Sequence, residues 1–125
     1  MIRREQITVT GAEGGSGSAT ATAFSSRSIV GMILSVHVEY TDSPPATTDV
    51  TIQEANNDPA MSILTLSNAN SDGWFHPVVE SHDTDGGELS GRSTPIAVTD
   101  TVQVTIAQAN DGDGVIVTII YDDGS

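Results

Sequence analysis

Residues 30–40 read VGMILSVHVEY, and this stretch decides the fold class. Val30, Met32, Leu34, Val36, Val38 and Tyr40 share one parity, while Gly31, Ile33, Ser35, His37 and Glu39 share the other. Successive side chains of a strand point to opposite faces, so this period of two predicts a long strand with the first set turned inward. A helix would need apolar residues three and four apart, and no stretch of the chain carries that pattern.

The same alternation continues on both sides. Upstream, Glu5 to Thr10 predicts a short strand with Ile7 and Val9 facing in, and Ala19 to Phe24 alternates Ala with Thr. Between them GAEGGSGS, residues 11–18, is too rich in glycine to pack and predicts a flexible hinge. Downstream, TDSPPATTD (41–49) is a loop because its two prolines cannot donate to a ladder. Val50 to Glu54 and Ser62 to Leu66 resume as strands. Trp74 to Val79 follows as a strand interrupted by Pro77, hence an edge or bulged one, and residues 80–94 predict a long mobile loop with three glycines. Ile96 to Val98, Thr101 to Ala107 and Val115 to Tyr121 complete the set, the last two expected to form a hairpin across NDGDG. The pattern predicts an all-β protein: a single β-sandwich or jelly-roll-like domain with an extended N-terminal arm, residues 1–28 forming strand and arm and residues 29–125 the body.

Charge reinforces that division. The chain of 125 residues has no lysine and no cysteine, and its net charge is −13. Three of four arginines (Arg3, Arg4, Arg27) lie in the first 28 residues, leaving Arg92 as the sole cation of an acidic body. Such a balance repels nucleic-acid phosphates and anionic lipid, so neither nucleic acid nor membrane is expected as a partner. Apolar runs are far shorter than the ~20 residues of a membrane helix, and MIRREQITV lacks the apolar segment of a secretory leader. Absence of cysteine removes disulfides and thiolate chemistry. Arg3, Arg4, Ile7, Val9 and Arg27 are the expected partner-binding residues of the arm, which could add a strand to a neighbouring sheet edge.

Three acidic turns imitate a calcium loop, which needs oxygen ligands at positions 1, 3 and 5, glycine at 6 and a bidentate glutamate at 12. Asn68, Asn70 and Asp72 stand correctly before Gly73, but Val79 occupies position 12. Asp111 and Asp113 precede Gly114 with Ala109 and Ile120 at the ends, and Asp83 and Asp85 precede Gly86 with Ser81 and Arg92 at the ends. Turn formation explains these residues better, so no metal and no cofactor are expected. His76 and His82 near Asp83 and Asp85 lack the spacing of a zinc site. No G-x-S-x-G elbow, phosphate loop followed by a helix, or braced carboxylate pair is present, so catalysis is not expected. Trp74 and Phe75, neighbours on one strand, must face opposite ways; one is expected in the core and the other at a partner contact.

The runs SIVGMILSVHVEYTDSPPATTDVTI, ILTLSNANSDGWFHP and VQVTIAQANDGDGVIVTIIYDD resemble small decoration or cement proteins of tailed-bacteriophage heads. The likeness spans about residues 26–122 and lies in the overall texture of the sequence. It implies a non-enzymatic virion protein on the outer capsid surface that binds the major capsid protein and stabilises the shell as a homo-oligomer, a trimer by preference. The alternative from another class is a carbohydrate-binding or host-attachment module of a phage tail or fibre, using Trp74 or Phe75. Its shortage of aromatic residues counts against that alternative, because sugar platforms are commonly built from several exposed rings.

Overall fold

The computed structural model describes residues 1–125 and contains strands and turns but no helix. Eleven strands form two packed sheets and a separate ribbon. The larger sheet runs β1 (Ile2–Val9), β11 (Gly114–Asp122), β3 (Ile29–Thr41), whose far edge is shared by β6 (Gly73–Phe75) and β9 (Ala97–Asp100). The smaller runs β2 (Ala19–Phe24), β10 (Val102–Ala109), β4 (Asp49–Glu54), β5 (Ser62–Leu66). The ribbon pairs β7 (Val78–His82) with β8 (Glu88–Pro95). All pairings are antiparallel.

The core is what the alternation predicts for a sandwich with two inner faces. Ile7 and Val9, then Val115, Val117, Ile119 and Tyr121, then Ile33, Val36 and Val38 project from the larger sheet. They meet Val50, Ile52, Val102, Val104 and Ile106 from the smaller one, and most of these side chains are inaccessible to solvent. Ala19, Ala21 and Ala23 of β2 are small because that strand lies close over the same core.

Four expectations are corrected. First, residues 1–28 are not a free arm. Strand β1 pairs with β11 from Ile2↔Asp122 to Val9↔Val115, which buries Ile7 and Val9 in the chain's own core, and β2 pairs with β10. The glycine-rich stretch between them is tied down as well: Glu13 and Thr20 bridge, Ala12 is buried, and the Asn110 side-chain oxygen accepts from Ser16 Oγ and the Gly17 N–H. Second, β10 and β11 are not a hairpin. Both edges of β10 are taken by β2 and β4, and both edges of β11 by β1 and β3, so NDGDG crosses from one sheet to the other. Gln108 (φ 52°) and Gly112 (φ 88°) make that crossing possible by adopting left-handed backbone. Third, β3 does not keep one parity. Ile120 pairs with Ser35 and Tyr121 with Ile33, so Leu34 is an extra residue on β3. This bulge reverses the face of everything before it. Val36, Val38 and Tyr40 point inward as expected, whereas Ile29 and Ile33 replace Val30, Met32 and Leu34 in the core.

Fourth, residues 80–94, expected as a loop, are mostly ribbon. Asp83 closes its turn, accepting at Oδ1 from the N–H groups of Asp85 and Gly87.

Candidate functional site

The bulge at Leu34 has a consequence for the outer surface. Because parity switches there, Val30, Met32 and Leu34 emerge on the outer face of the larger sheet, all exposed. Farther along the same face, His37 stands opposite Trp74 of β6, and their rings lie 4.8 Å apart at 53°. Trp74 is 52% exposed, while Phe75 turns the other way and packs against the core. The two rings therefore face opposite ways, with Trp74 the surface residue. One cross-strand row joins Gln6, Thr118, His37 and Trp74. Gln6 Nε2 donates to Thr118 Oγ1 at 3.3 Å. Arg4 with Ile120, and Thr8 with Ile116 and Glu39, form the rows on either side.

The ribbon leaves the body at this face. Strands β6 and β9 both pair with β3, the first at residues 36–38 and the second at 29–32, and β7 and β8 are the excursion between them. The Ile33 N–H donates to the Ile96 carbonyl at 2.8 Å and pins the returning chain. Beyond that root the ribbon is bare: along both strands only Ser81 and Leu89 are half-buried, and Val78 and Val79 are exposed. A recess of about 370 Å³ there is lined by Val78, Val79, Glu80, Gly91, Arg92 and Ser93. Arg92 makes no ion pair within the chain.

The other expected partner residues have internal roles. Arg3 is paired with Asp123, and this contact, followed by hydrogen bonds from Ser125, holds the Asp123 carboxyl far below its ordinary value. Arg27 lies 3.7 Å from Glu5, whose Oε1 also accepts from Ser26 Oγ. Of the five, only Arg4 is left exposed and unpaired, on the outer face already described.

The acidic turns lock loops. Asp72 Oδ1 accepts the Tyr40 N–H at 2.8 Å, Asn70 Nδ2 donates to the Pro44 carbonyl, and Asn68 takes left-handed backbone at φ 53°. Asp113, buried, accepts the Asn110 N–H at 2.8 Å, and Asp111 is an exposed turn residue. Nowhere do three His, Asp or Glu side chains converge as a metal site would require. A polar recess of about 440 Å³ lies where the 41–49 and 67–72 loops meet, with Asp42, Asn70 and Asp72 in its wall. Tyr40 closes its floor; burial, then the charges of Asp72 and Asp49, push its phenol up to about 12.

A separate polar cluster fastens the opposite loops. Asp100 accepts four hydrogen bonds, from Asn56 Nδ2 and from the N–H groups of Asn56, Asn57 and Thr101. Burial raises the pKa of this carboxyl, but the hydrogen bonds outweigh it and the net shift is downward. Buried Glu54 accepts in the same way from Asn57, Met61 and Thr99. Nothing in the sequence marks Asp100 or Glu54 as such an anchor.

No protein-family model matches the chain, and no curated protein is similar to it. Among solved structures it is similar to a mutant of CBM29-2, a family 29 carbohydrate-binding module, with a TM-score of 0.46 and 13% identity over 91% of this chain and 69% of that one.

Proposed function

We propose that the chain is a non-catalytic structural module that attaches to a larger protein shell, as a decoration or cement protein of a phage head does. The observation that supports this reading is the concentration of apolar surface. Of the ten large hydrophobic side chains that stay exposed, six (Val30, Met32, Leu34, Trp74, Val78 and Val79) belong to β3, β6 and β7 around the ribbon root. Scattered exposed apolar residues are normal, whereas a gathered set with an exposed tryptophan is typical of a protein-contact surface. The acidic remainder keeps the module soluble and turned outward. Mass spectrometry of purified particles, reading the copy number of this chain against the major shell protein, tests the proposal. Comparable copy numbers are the expected result; absence from particles would sink it.

The Trp74 row favours a second reading, carbohydrate binding. An exposed indole beside His37, with exposed Gln6 farther along the same row and Thr118 buried between them, offers a stacking surface with polar groups at its margin. On this reading Trp74→Ala abolishes glycan retention while the fold survives. A glycan array with no binding above background would remove the reading.

A further inference from the structure

We infer that a second copy of this chain covers the apolar outer face, with the ribbon β7–β8 of one copy lying over Val30, Met32, Leu34 and Trp74 of the other. The inference rests on the assembly reading above and names its contact surface. Two elements of the chain are incomplete, and they lie side by side. A two-stranded ribbon is marginally stable in water without a third strand or a packed face. Here neither face is covered, and Val78 and Val79 at its base are exposed. The sheet face beside it carries Val30, Met32, Leu34 and Trp74, also uncovered. The chain cannot satisfy one with the other, because its own ribbon leaves from the edge of β3 and the body touches it at little beyond its root.

Charge identifies the occupant. Arg92 on β8 is the only cation after residue 28 and has no ion partner. The face carries Glu39, exposed next to His37 and Trp74 and without an ion partner, whereas Asp122 beyond Met32 is already held by the N-terminal ammonium. A second copy supplies a ribbon with an unpaired arginine to a face with an unpaired carboxylate, Glu39, and the exchange can be repeated in return, as a closed assembly requires. Nucleic acid and anionic lipid are repelled by the net charge of −13. The same charge opposes self-association at low salt, so moderate salt should strengthen the contact by screening it.

Sedimentation analysis over a concentration series at moderate salt tests this on three chains. Wild type is expected to form a closed oligomer. Arg92→Glu, at an exposed position remote from the core, should weaken association about tenfold or more with unchanged thermal unfolding. Leu34→Asp should do the same from the other side of the contact. Trypsin gives an independent readout, since Arg92 is one of four cleavage points and should be protected only in the oligomer. Wild type that stays monomeric throughout, or an oligomer indifferent to both substitutions with Arg92 still open to trypsin, overturns the inference. Particle copy number is read separately: a solution monomer found abundantly on particles would end this inference and leave the assembly reading standing.

Discussion

Single residues decide more here than their types advertise. Gly31 has φ 148°, and a Cβ added there would run into the Asp122 carbonyl of the adjacent strand. Gly86, at φ 85° in the ribbon turn, has open space around it. Gly31→Ala should therefore destabilise by more than Gly86→Ala, whose cost is backbone strain alone, about 1–3 kcal/mol. Thermal unfolding of the two variants side by side checks the order. Asp100 gives a test by pH. Its folded pKa lies below the ordinary 3.8, so its stabilising contribution is complete above that value and is lost as pH falls through the folded pKa. Asp100→Asn offers one oxygen where four donors converge. The variant should unfold at a lower temperature at neutral pH, and the gap from wild type should shrink in acid. A gap that stays constant down through the acid range would refute the assignment of Asp100 as a charged anchor.

At the scale of elements, the N-terminal strand is the sharpest case. Strand β1 contributes Ile7 and Val9 to the core and covers one edge of β11. Removing residues 1–10 would bare that edge and open a cavity where two buried side chains stood; losing one such side chain alone costs about 1–5 kcal/mol. The truncated chain should fail to fold or should aggregate, as read by circular dichroism and light scattering. A folded, soluble product would restore the arm reading of residues 1–28. The central strands β10 and β11 are the opposite case, each paired on both edges. Ile106→Ala on β10 should cost about 2–5 kcal/mol by denaturant unfolding, since its side chain is wholly inaccessible.

Over the whole molecule, charge opposes compaction. With 17 acidic residues against four arginines, self-repulsion destabilises the folded state, and salt screens it. The unfolding temperature should rise between very low and moderate salt, and scanning calorimetry of wild type at several salt concentrations reads it. A flat response would mean that local partners already offset the repulsion among the carboxylates, as Arg3 does for Asp123.

The period of two was enough to establish an all-β sandwich and to pick out Ile7, Val9, Val36 and Val38 as core, because burial against one inner face imposes that period on any strand. Adjacency on a strand likewise separated Trp74 from Phe75. Which strands pair was decided only in three dimensions. Local turn chemistry at NDGDG is compatible with a hairpin, but the edges of β10 and β11 are claimed by strands distant in sequence, and those pairings win because they close the core. One inserted residue at Leu34 shifts the parity of β3, so that Val30, Met32 and Leu34 face solvent rather than the core. A bulge of one residue leaves almost no trace in composition, yet it is what brings the apolar surface, Trp74 and the ribbon root together.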